Sequence, residues 1–221
     1  MKVVAGGKTV VTVPTTGLHN FTLTMVVTIS LEGILMPSFG IFDGVEWGTV
    51  GGRTRQIPDS FARFVTNKSG GMVGSKGAGS SVEEGTMVAL ANHWVETGRQ
   101  HCGDVVTKDE WLLRIVDNHA SHLDDIAISK LNEDKQFIHT LPKNTTHFLQ
   151  VGDTRYINRI IRGIFRPLVQ DLAVRVGTVT KENILLTVKN TLEGACTQQS
   201  ILKAAEHVGF TYTSGGTVIK F

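Results

Sequence analysis

The stretch from Trp111 to Asp153 sets the strictest condition on how this chain can fold. Trp111-Leu112-Leu113-Arg114-Ile115-Val116 is a mostly apolar run that ends on Asp117, with Asn118, His119, Ser121 and His122 directly after it. A buried strand ending on a carboxylate is how α/β folds present an acid at a sheet edge. The theme repeats. Phe137-Ile138-His139-Thr140-Leu141 reads as a second strand, Pro142 stops it, and Asn144 to Gln150 leads to Asp153. Between the two, Leu123-Asp124-Asp125-Ile126-Ala127-Ile128 opens a helix with acids in its first turn, where they complement the dipole. Leu112 to Leu141 is therefore a βαβ unit, with parallel strands and a right-handed crossover expected. Two carboxylates delivered by neighbouring elements can share a hard divalent cation, which takes a few oxygen ligands and keeps positions open for phosphate. Asp124 and Asp125 read as helix-start acids. His119 and His122 have a spacing that zinc accepts, but no third ligand stands near them in the sequence.

The rest of the chain has to house this unit. At 221 residues it suffices for one well-packed domain and is marginal for two. Cys102 and Cys196 form no metal or redox spacing, so reduced intracellular thiols are the reading. No apolar run approaches the ~18 residues of a membrane span, and the start lacks a signal-peptide core. A soluble protein away from membranes is expected. Gly6-Gly7-Lys8-Thr9 invites a phosphate-loop reading, but such a loop needs Gly five residues before its Gly-Lys pair, where Lys2 stands. A turn before a short strand is expected there instead.

Phe21, Leu23, Met25 and Val27 alternate with Thr22, Thr24 and Val26, which suits a strand. Asn20 to Ile29 and Gly33 to Phe42 read as two strands joined by a Glu32-Gly33 turn, with Pro37 at an edge or bulge. From Gly44 to Ser81, glycines among Ser, Thr and Lys read as a long loop. Ser81-Val82-Glu83-Glu84 then forms a capping box, and the helix after it carries Met87, Leu90, Ala91, Trp94 and Val95 on one stripe. Trp94 reads as core. Beyond Asp153, Arg155, Arg159, Arg162 and Arg166 recur at helical spacing, opposite Ile157, Ile160, Ile161, Ile164, Phe165 and Leu168. Net charge is only +2, so any argument about charged partners rests on this local stripe. It is either a solvated basic face or a grip on a nucleic-acid backbone.

Two segments resemble a known family. Ile115-Val116-Asp117-Asn118-His119-Ala120-Ser121-His122 and Leu141-Pro142-Lys143-Asn144-Thr145-Thr146-His147-Phe148-Leu149-Gln150 resemble motifs of the DDE-type transposases of the mariner/pogo group, among them centromere protein B and its relatives. The likeness runs from about Asn20 to Leu168. It implies a ribonuclease H-like mixed sheet flanked by helices, with a helical C-terminal part. It implies metal-bound, catalytic roles for Asp117 and Asp153 with Mg²⁺ or Mn²⁺, and supporting roles for Asn118, His119, His122 and His147. The Arg155, Arg159, Arg162, Arg166 stripe would hold DNA phosphates without reading sequence, in a nuclear protein that can be a homo-oligomer.

The chain departs from the family pattern. Lys143 stands for a Pro, and Val151-Gly152 stands for Pro-Leu. Gly163-Ile164-Phe165-Arg166-Pro167-Leu168 echoes a family segment that normally follows the last Asp directly, and that register would put Ile161 in the catalytic place of Asp153. The family's first Asp lies on a strand ahead of the hairpin, yet no acid precedes Glu32 here. The first strand therefore reads as missing or atypical. Residues 1–175 read as the later part of a catalytic domain with a Gly-rich insertion at about 44–81, and 176–221 as a helical extension. Two functions follow: metal-dependent DNA strand cleavage and transfer, or a catalytically inactive, domesticated relic that binds DNA or protein. The absent carboxylate favours the second.

Overall fold

The computed structural model describes residues 2–12, 21–44, 62–75, 85–99, 109–213 and 216–219; for 2–12, 146–147 and 212–219 it describes the backbone alone. The capping box at Ser81–Glu84 and Cys102 lie outside these residues.

The fold is mixed α/β. Strands β1 (Lys2–Thr12), β2 (Thr22–Ser30), β3 (Ser38–Asp43), β4 (Ala62–Asn67), β5 (Leu112–Val116) and β6 (Gln136–Thr140) form one sheet in the order β4-β3-β2-β1-β5-β6. β1 runs antiparallel to β2 and parallel to β5, and β5 runs parallel to β6. β2 obeys the period of two expected from its sequence. Leu23, Met25, Val27 and Ile29 enter one core, while Val26 enters the other and Thr28 Oγ1 accepts a 3.1 Å bond from Trp94 Nε1. Gly33 closes the β2–β3 turn at φ +90°, a conformation that costs Gly least. Pro37 precedes β3, and its carbonyl accepts from His93.

Helix α1 (Thr86–Gly98) lies on one face, with Met87, Leu90, Ala91 and Trp94 at 1% exposure or less. Helix α2 (Asp125–Glu133) joins it through Ala127 and Leu131. The short α3 (Thr146–Leu149) follows β6. On the opposite face lie α4 (Asn158–Val176), α5 (Ile184–Ala195) and α6 (Gln198–His207), ahead of a β7 (Phe210–Thr213) and β8 (Gly216–Ile219) hairpin. α5 and α6 enter the same core as β2 and α4, through Val188, Leu192 and Ile201. Each fully buried aliphatic or aromatic side chain stabilises by about 1.5–3 kcal/mol relative to an exposed one. Among the described residues no helix is long and apolar enough to cross a membrane.

Four expectations need correction. The first strand is not missing: Gly6-Gly7-Lys8-Thr9 is continuous strand in the middle of the sheet, with no turn. The Gly-rich stretch is not loop throughout, because Ala62–Asn67 pairs with β3 in parallel. The basic helix starts at Asn158, so Arg155 lies in the turn before it. The face of α4 that packs inward is Ile161, Phe165, Val169 and Leu172, whereas Ile160 is exposed.

Candidate functional site

β5 alternates between the two cores. Val116 faces α1, whereas Ile115 faces α4, so Asp117 at the strand's end continues on the α4 side. Its Oδ1 accepts from His122 Nε2 at 2.9 Å and from the His119 amide at 3.1 Å. Burial alone would raise this carboxyl, but the bond and the charge of His122, helped by His119, hold it below the ordinary carboxylate range. His119 caps the 3-10 turn Ala120–Leu123: its Nδ1 lies 2.7 Å from Ser121 Oγ and accepts from the Ser121 amide. Both rings are thus spent ordering the loop after Asp117, edge to face at 6.1 Å. Asn118 is half-exposed beside them, and His147 has only its backbone described.

Asp153 comes to the same region by another route. Leu141, Val151 and Ile157 sink into the α4-side core and carry the chain across in the 3-10 turn Val151–Asp153, which rests against β1. Asp153 is half-buried. Burial and the nearby negative charge of Asp117 raise its carboxyl, against a smaller opposing pull from Arg162. The charge of Asp117 thus reaches Asp153 across the loop. Ile161 is 3% exposed and packs in the core, so the register that would place a ligand there fails physically.

β1 and β5 pair in parallel as far as Ala5 and Ile115. Gly7 pairs with Val27 on the other side, and the Val27 side chain belongs to the α4-side core. Two residues beyond the Ala5–Ile115 pair, towards the same side of the sheet, the β1 chain carries Gly7 and the β5 chain carries Asp117. Among the described residues no three His, Cys, Asp or Glu side chains gather closely enough to hold a metal ion. The residues present fit a hard cation only partly. Two like charges repel and a cation would relieve them, but among the described residues no third ligand joins them.

Arg155, Arg159, Arg162 and Arg166 are all exposed, and none forms an ion pair among the described residues. Arg155 folds over the Tyr156 ring at 5.0 Å, with its Nη2 2.9 Å from the hydroxyl. The stripe is thus three helical arginines and one anchored in the preceding turn. The sole acid of this helix, Asp171, pairs with Arg175 at 2.8 Å, away from the stripe.

Sequence reading missed two features. Asp124 caps α2 through the Ala127 amide, and also binds Ser75 N and Oγ at 2.6 Å each, a tie across 49 positions that no local pattern announces. Arg114 is 1% exposed, stacked 4.6 Å over Trp94 and bonded to Gln136 Oε1 and the Trp94 carbonyl. An Arg inside an apolar run was its signal. The chain matches no family model and no curated protein.

Proposed function

We propose that this chain is a transposase-derived domain on a ribonuclease H-like scaffold that binds DNA through phosphates and does not cut it. The observation that carries the reading is that Asp117 and Asp153 lie within electrostatic reach of each other at the end of β5, while the neighbouring strand β1 carries Gly7, not an acid, two residues beyond its last pair with β5. The strand order and directions, with α4 leaving the acid pair, agree with the resemblance in the two motifs. Asp117 and Asp153 would be the residues to hold Mg²⁺ or Mn²⁺. Such an ion supplies Lewis acidity toward a phosphate oxygen and orients an attacking hydroxyl. His122 and the His119 amide fix Asp117, and Arg162 tempers the charge of Asp153.

DNA binding then rests on the stripe. Each Arg that displaces condensed counterions adds close to one unit to the slope of log affinity against log salt, so four give about −3 to −4. Random-sequence duplex DNA, titrated at several salt concentrations against the chain and a fourfold Arg→Ala variant, tests this. Equal binding by both refutes the stripe as the contact. A nuclear location follows from a DNA partner.

Strand cleavage is the second reading, favoured by the closeness of the two carboxylates alone.

A further inference from the structure

The sheet ends at β6, and among the described residues no strand lies beyond it. Leu112 N–H donates to the Lys135 carbonyl and Leu141 N–H to the Val116 carbonyl, 2.9 Å each. In a parallel ladder these two bonds fix the parity of the strand. The main-chain groups of Phe137 and His139 turn to β5, and those of Gln136, Ile138 and Thr140 turn away from it. Gln136 is 0% exposed, so its outward groups are covered, whereas Ile138 and Thr140 are partly exposed. Edge strands are commonly blunted by a Lys, a Pro or a bulge that stops a further strand from adding. Gln136-Phe137-Ile138-His139-Thr140 carries neither residue, and its register with β5 runs unbroken.

The side chains of this edge are also uncovered. Leu113 and Ile115 face the α4-side core, so Phe137 and His139, their partners in the register, lie on that side. Phe137 is 51% exposed, and His139 is exposed as well. An aromatic pair on an open edge fits another strand.

The order of residues selects a second copy as that strand. In a two-fold antiparallel pair, bonded positions must match outward residue to outward residue. Registers centred on Phe137 or Ile138 spend bonds on the covered Gln136. A register centred on Thr140 sets Ile138 against Pro142, which has no N–H to give. Centred on His139, Ile138 meets the partner's Thr140 and Thr140 meets the partner's Ile138, each pair exchanging both N–H···O bonds. Every open main-chain group is then used once. The same register sets Phe137 against the partner's Leu141 and His139 against its own copy. Both are non-bonded positions, where side chains come closest, with Cα atoms about 4.5 Å apart.

We propose that β6 pairs antiparallel with β6 of a second copy of this chain, about a two-fold axis at His139, joining two sheets into one. The contact is isologous and independent of the nucleic-acid reading. Being short, it belongs at the weak end of interfaces, with a dissociation constant of about 10–100 µM.

Sedimentation equilibrium of the full chain from about 1 to 300 µM is expected to show monomer passing into dimer. Thr140→Pro removes an outward N–H that β5 does not use, so the melting temperature should hold while dimerisation weakens about tenfold to a hundredfold. His139→Cys, made with Cys102→Ser, is expected to cross-link two copies on air oxidation, because this kind of strand pair has the spacing a disulfide needs. Phe137→Cys in the same background faces Leu141 and should cross-link little. A chain that stays monomeric throughout the range overturns the proposal. So does a dimer indifferent to Thr140→Pro, or one that cross-links through Phe137→Cys in preference to His139→Cys, since either puts the contact elsewhere.

Discussion

His122 Nε2 lies 2.9 Å from Asp117 Oδ1, and the histidine is the more buried partner, its side chain 7% exposed against 20% for the aspartate. The acid is thus held from beneath by a ring that cannot move without opening the loop. His122→Ala is expected to lower unfolding stability by about 1.5–3 kcal/mol, the cost of losing a bond to a charged acceptor. Urea denaturation of the variant checks this, and an unchanged midpoint contradicts it. The lowered Asp117 carboxyl contributes stability above the unfolded carboxylate range, lost as pH falls through its folded value.

The parent chain is expected not to nick supercoiled DNA in Mg²⁺ or Mn²⁺, because two carboxylates leave the metals unpositioned. Nicking that disappears in Asp117→Asn restores the enzyme reading. Gly7→Asp is the complementary change. Its melting temperature should rise with added Mn²⁺ far more than the parent's, since binding to the folded state alone stabilises it. No difference between the two means that β1 does not bring that position beside the acid pair.

Ile161 and Asp153 compete for one place in the motif register, and the fold separates them. Ile161→Ala should cost about 2–5 kcal/mol of stability through loss of buried contacts and the void left behind. DNA affinity, measured below the variant's unfolding range, should stay at the parent level.

His93 is buried, donates to the Pro37 carbonyl across 2.9 Å and lies against Phe39. Burial, only partly offset by the bond to Pro37, holds its pKa below the ordinary value. The unfolded chain takes up a proton near pH 6.5 and the folded one only lower, so stability falls as pH drops below about 6.5. His93→Gln should flatten that part of the profile in urea midpoints measured between about pH 7.5 and pH 5.5.

Local periodicity made much of this architecture readable. β5, α2 and β6 follow from an apolar run, a capped helix and a second run, each within a few residues of its signals. Trp94 follows from its place on a helical stripe. What stayed hidden depends on distant partners. Gly6 and Gly7 weaken any strand signal, and β1 exists because β2 and β5 pair with it on both sides. β4 draws its stability from β3 across a segment rich in glycine. The inward face of α4 was misjudged because Ile160, Ile161, Ile164 and Phe165 crowd together, and only the core decides which of them is covered. In the candidate site, Asp117 was legible as a strand end. The lack of an acid ahead of Glu32 was legible too, but that Gly7 stands on the same side of the sheet as Asp117 was not, since it is a property of strand pairing.

Arg114 gives β5 an anchorage that does not pass through the acid it carries. On the α1 side of the strand the guanidinium is gripped by Gln136, the Trp94 carbonyl and the Trp94 ring, and a Cβ at Gly98 would come within 2.5 Å of its Nη2. Three residues later the same strand delivers Asp117 to the other side. The carboxylate is in this way mounted on a lever whose fulcrum is sealed in the interior, out of reach of salt, ligand or proton. Rearrangement of charge around Asp117 leaves this anchorage untouched, whereas a methyl group added at Gly98 would press directly on the guanidinium.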